Sequence, residues 1–265
     1  MKTKFTPCFA AIALMLASAS SWATIIQSSV TGTVGNMVGG DPLSASATFT
    51  TSEGKIDITL TNTLSADLFR SAGQALSDLS FTLTDAPGDL TGGSADGQFG
   101  TVAGTSPGTV TYVSTDDRAG PPPCTGVSYA TPERWLGEGT PPCGNGTFTI
   151  DNTADTIMMS ALGGGQPSEM ISPFVKDGGQ YLISNASVPN FNAYIIGTGT
   201  FELDLTGVTA NTSITSVTFS FGTGPETKLT DTTPIIIPEV PEPGSLALVG
   251  VAGLLLAFVL RRRAH

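Results

Sequence analysis

Histidine, the side chain most often used to move protons near neutral pH, occurs once in this 265-residue chain, as His265 at its end. Imidazole-activated serine or cysteine nucleophiles, histidine general bases and histidine-rich zinc sites are therefore excluded from the body of the chain. The glycine runs Gly92-Gly93 and Gly163-Gly164-Gly165 are followed by no Lys-Ser/Thr pair and open no helix, so neither is a phosphate loop. Carboxylates remain. Glycoside hydrolysis needs a pair of them, but most of the 22 Asp and Glu residues fall on polar strand positions or in turns, where solvation accounts for them. Calcium is the cation that oxygen ligands on loops would take, and Asp151-Asn152 with Asp155, or Asp116-Asp117, offers such ligands. Neither set has the spacing of a defined calcium loop, and Asp or Asn side chains bonding their own backbone explain both equally. The body reads as non-enzymatic, with no cofactor required.

Two cysteines remain once the ends are set aside, Cys124 and Cys143, and in an exported chain they are expected to pair. Closing a loop of about 20 residues contributes on the order of 3 kcal/mol. A metal site is the competing reading, poorly served by two thiols with no histidine near them. Both sit in a Pro- and Gly-rich stretch, Arg118 to Gly146, that also holds Trp135. An exposed aromatic on a braced loop would suit contact with a ligand such as an extracellular carbohydrate. The plainer reading is that Trp135 covers a gap at the sheet edge and the disulfide limits proteolysis.

The N-terminus has the parts of a secretory signal peptide over residues 1–23: a basic n-region formed by Met1, Lys2 and Lys4, an apolar stretch from Phe9 to Ala17, and the cleavage pattern Ser21-Trp22-Ala23. Cleavage before Thr24 is expected, with a cut after Ala19 as the alternative. Cys8 precedes the apolar stretch and is no lipoprotein acceptor. Residues 24–238, about 215, suffice for one all-β domain with a sizeable core. All the acidic residues lie between the signal and the C-terminal apolar run, while Lys2, Lys4, Arg261, Arg262 and Arg263 lie outside that span. So acidic a body repels nucleic acid, and nucleic-acid binding is excluded.

The elements that would position any site are strands. Lys55-Ile56-Asp57-Ile58-Thr59-Leu60-Thr61 and Leu79-Ser80-Phe81-Thr82-Leu83-Thr84 alternate with period two. Ala47 to Thr51 precedes a Ser52-Glu53-Gly54 turn and should pair with the first of these as a hairpin. Val110 to Val113, Phe148 to Ile150, Ile157 to Met159, Phe201 to Leu205 and Val217 to Phe221 are further short strands. Phe201, Leu203, Leu205, Val217, Phe219 and Phe221 are the expected core near the end. A short helix or connecting turn is expected around Leu68 to Leu76, and a loop with one embedded strand from Gly163 to Asn192. One apolar face per strand predicts an all-β, antiparallel β-sandwich, jelly-roll-like or Ig-like, with a long disulfide-braced loop.

The tail, residues 239–265, differs in kind. Val240-Pro241-Glu242-Pro243-Gly244-Ser245 leads into an uncharged run, Leu246 to Leu260, then Arg261-Arg262-Arg263. As a helix that run is about 22 Å long, a little short of a hydrocarbon core of roughly 30 Å, and snorkelling arginines with Gly244 and Ser245 make up the difference. Three adjacent arginines are expensive to translocate and stop the chain with its C-terminus inside and its body outside. The flanking prolines hold the Glu242 segment extended. This order of parts resembles the PEP-CTERM sorting signal of bacterial exported proteins. The resemblance implies transient anchoring by a transmembrane helix and processing by a membrane-embedded exosortase near Pro241-Glu242-Pro243. It also implies a cell-surface or extracellular fate and an association with exopolysaccharide or biofilm. A plain single-pass anchor behind a stiff proline linker is the alternative.

Overall fold

A strand with one apolar face must cover that face, and this chain does so by folding a single hydrogen-bonded network over on itself. The computed structural model describes residues 23–34, 41–85, 87–104, 107–112, 149–153, 155–161, 170–183, 188–191, 193–224 and 227–237. They form fourteen strands: β1 (Thr24–Val34), β2 (Asp41–Ser52), β3 (Lys55–Asn62), β4 (Leu76–Leu83), β5 (Leu90–Ala103), β6 (Gly108–Tyr112) and β7 (Thr149–Thr153). The rest are β8 (Thr156–Ser160), β9 (Ile171–Ser172), β10 (Gln180–Tyr181), β11 (Tyr194–Leu205), β12 (Ile214–Phe221), β13 (Thr227–Asp231) and β14 (Ile235–Ile237).

One layer runs β13-β12-β4-β8-β7 and the other β14-β1-β2-β3-β11-β5-β6-β10. Short β9 joins them at one side, with Ile171 opposite both Leu76 of β4 and Ile195 of β11. Apart from β9 with β11, the pairings are antiparallel. The layers meet face to face. Phe49 of β2 and Phe81 of β4 are not ladder neighbours, yet their ring centroids lie 5.0 Å apart and both are fully buried. Burying each contributes about 1.5–3 kcal/mol. On the side opposite β9 the layers close through Ser28 of β1, which donates to Asp231 of β13 at 2.7 Å.

Alternation places Leu43, Ala45, Ala47 and Phe49 of β2 and Ile56, Ile58 and Leu60 of β3 inward. Phe201, Leu203, Leu205, Val217, Phe219 and Phe221 are all in the core, as expected. The β2–β3 hairpin turns through Glu53-Gly54, where Gly54 takes a φ of 71° that a side chain would strain. The stretch around Leu68 to Leu76 is a connector, two short 3-10 turns over Ala66–Leu68 and Ala72–Gln74, before β4 begins. Among its described residues, the Gly163 to Asn192 stretch carries two two-residue strands, β9 and β10, rather than one.

That connector is fixed by buried amides. Asn62 donates to Gln74 O and Ile171 O at 2.9 and 3.0 Å and accepts from Leu64 N–H at 3.2 Å. Gln74 donates to Pro42 O and Leu68 O and accepts from Arg70 N–H. Hydrogen-bonding groups that the non-sheet connector would otherwise bury unpaired are thereby satisfied.

Candidate functional site

The two ends of the body meet. β1 starts at Thr24, the first residue beyond the expected signal cleavage, and β14 stops at Ile237, just before the tail. Antiparallel pairing sets Ile25 opposite Ile237, Ile26 opposite Ile236 and Gln27 opposite Ile235. Both exits therefore leave the same end of the sandwich. Thr24 Oγ1 donates to Ala210 O at 2.5 Å, and Gly54 N–H donates to Val208 O at 2.9 Å, binding the turns of this end together. Those turns also carry exposed Glu53, Asp85, Asp89 and Asp155.

The corner from β13 into β14 is held by Asp231. Its burial pushes the carboxyl pKa up, but donation from Ser28, from Thr233 N–H at 2.9 Å and from the Thr233 hydroxyl outweighs that and holds it below the usual range. β14 is the last strand of its layer, with no partner on its far side among the described residues. Its Ile235 and Ile236 are 69 % and 56 % exposed.

The segment directly behind β14 decides where the protein goes. Residues 239–263 match the model of the PEP-CTERM protein-sorting motif. The chain carries a PEP-CTERM sorting signal. The matched span includes Val240, Pro241, Glu242, Pro243 and Gly244 together with Arg261, Arg262 and Arg263, all outside the described residues. A PEP-CTERM signal marks an exported protein that is anchored transiently in the membrane and processed by an exosortase before it reaches the cell surface. No curated protein matches the chain.

Other expected sites fare differently. The signal segment through Trp22, the pair Cys124 and Cys143, Trp135, and Asp116-Asp117 lie outside the described residues. Among the described residues no helix is long and apolar enough to cross a membrane. Asp151 and Asn152 fall within β7, opposite Met158 and Ile157, and Asp155 occupies the turn into β8, where its carbonyl accepts from Leu83 N–H at 2.8 Å. No three His, Cys, Asp or Glu side chains gather to hold a metal ion among the described residues.

Two carboxylate groupings are formed instead. On the outer face of β3 and β11, Lys55 bridges Glu202 at 2.8 Å, and Asp57 faces Glu202. Burial pushes Asp57 up; Lys55 pulls it down, and the charges of Glu202 and Asp204 add to the rise. Asp78, 5 % exposed on β4, accepts from Ser160 of β8, while Ser77 donates to Ser220 O of β12 at 3.3 Å. Burial dominates and raises the Asp78 pKa, against the serine hydrogen bonds and the Lys228 charge. Sequence reasoning misses Asp78 because period two puts it on a face expected to be wet. Its single cue is a Ser-Asp pair directly after Leu76 and before the apolar run.

Proposed function

We propose that this is a non-enzymatic surface or extracellular-matrix protein, whose sandwich is delivered by the tail and freed by exosortase cleavage near Pro241-Glu242-Pro243. The observation that carries the reading is the PEP-CTERM motif at residues 239–263, immediately behind a body strand that ends at Ile237. A jelly-roll-like or Ig-like body closed by a Cys124–Cys143 disulfide would suit a durable extracellular component, and the resemblance links such proteins to exopolysaccharide and biofilm. Deleting the gene and comparing biofilm mass and bound polysaccharide tests it. Loss restored by the intact gene supports the role, and unchanged biofilm contradicts it.

A second reading, an extracellular carbohydrate-binding module, rests on Trp135 and the acidic loops and includes calcium as an optional ligand. Glycan-array binding that Trp135→Ala abolishes and a chelator weakens would favour it.

A further inference from the structure

The edge that leads into the tail is apolar where an edge strand is ordinarily guarded. Ile235 and Ile236 are the two most exposed large aliphatic side chains among the described residues; Ile235 shares a face of the sheet with half-buried Ile25 and Ile237, and Ile236, opposite Ile26, takes the other face of the same edge. Three paired residues behind Pro234 make too short an edge for a second copy to extend the sheet stably. The length of chain beyond the strand points elsewhere. Nine residue steps separate Ile237 from Leu246, at most about 30 Å if fully extended. Pro238, Pro241 and Pro243 favour an extended link, about 28 Å at roughly 3.1 Å per residue. The tail is the membrane anchor, so this edge stays within reach of the headgroups for as long as the chain is tethered.

We propose that Ile235 and Ile236, with Ile25 and Ile237, form a lipid-contacting lip that seats the tethered body on the bilayer surface. This rests on the anchoring role of the tail. Two exposed isoleucines are a weak ligand for a membrane in free solution, and the exposed carboxylates Glu53, Asp85, Asp89 and Asp155 at the same end oppose anionic lipid. Tethering replaces free encounter with a high local concentration, under which weak contacts are occupied. Glu242 lies five residues past Ile237, no more than about 17 Å of chain. Seating the lip thus keeps the processing motif at headgroup depth, where a membrane-embedded enzyme works. Cleavage removes the tether, and the lip alone no longer holds the body.

The test places the full-length chain in phosphatidylcholine nanodiscs containing a photo-crosslinking phospholipid and maps adducts by mass spectrometry. Adducts are expected on the Ile235–Ile237 peptide as well as on the tail, falling at least fivefold in the Ile235→Thr/Ile236→Thr variant and to background once the chain is cut behind β14. Adducts confined to the tail overturn the lip and leave the anchor standing. Adducts nowhere overturn the anchor as well. Slowed cellular processing of the variant without any wild-type adduct on this edge would assign the edge to the enzyme and overturn lipid contact. Should the double variant fail to fold, Ile235→Trp serves instead, with quenching by brominated lipid expected only in the tethered chain; equal quenching after cutting refutes the proposal.

Discussion

Replacing Asn62 by alanine should be among the most damaging single changes in the body. The residue is 2 % exposed and makes three hydrogen bonds, to Gln74 O, Ile171 O and Leu64 N–H, within 2.9–3.2 Å. Alanine deletes all three and leaves two carbonyls and one N–H buried without that partner. Each orphaned group costs about 1–3 kcal/mol, and a water entering the vacated space recovers part of it, so a net loss of about 3–5 kcal/mol is expected. Because Asn62 ties β3 to the connector and to β9, the loss falls on the seam between the layers and should reduce global stability. Urea unfolding of the exported protein, monitored by far-ultraviolet circular dichroism, measures it directly. The midpoint should drop with the slope unchanged, and thermal unfolding should fall by about 10 °C. Thr59→Ala on the exposed face of β3 is the control, expected within about 0.5 kcal/mol. A loss under about 1 kcal/mol for Asn62→Ala would refute the reasoning.

Phe81→Ala removes one member of the inter-layer ring pair and should cost about 3–5 kcal/mol in the same assay. Asp78 gives a pH signature. Its folded pKa is raised above the unfolded value, so between the two the folded state holds more protons, and stability declines as pH rises through that window. Asp78→Asn, which keeps an acceptor for Ser160, should flatten that decline and leave the protein at least as stable near neutral pH. A steeper pH dependence in the variant would contradict the assignment. Asp231, held below its usual range, works in the opposite sense: Asp231→Asn should reduce stability above the ordinary Asp range and matter less in acid, as unfolding against pH would show.

Strands were legible wherever one face met water. Lys55–Asn62 and the Val217 to Phe221 part of β12 alternate apolar and polar residues, because each strand packs one face on the other layer. β1 and β5 were not legible. Thr24–Val34 and Leu90–Ala103 are rich in Gly, Ser and Thr, and their pairing is imposed by β2 and β11 rather than by their own residues. The two-residue strands β9 and β10 are too short for any period to register, and they exist because neighbouring ladders receive them. The tail was readable for the opposite reason: its function depends on local composition and order, which need no tertiary partner. The edge at β14 could not be read, since the short run Ile235 to Ile237 carries no sign that the fold sets it at the end of a layer.

The claim beneath the account is that a folded sandwich is held at the membrane by the PEP-CTERM tail and then released. Intact-mass spectrometry of the protein collected from the cell surface or medium tests it most directly. The account predicts a chain that starts near Thr24, ends close to Pro241-Glu242-Pro243 and lacks Leu246 onward. With Pro241→Ala/Glu242→Ala the uncut precursor should remain with the membrane fraction. Recovery of wild-type protein outside the cell with Leu246 to His265 still attached would contradict it.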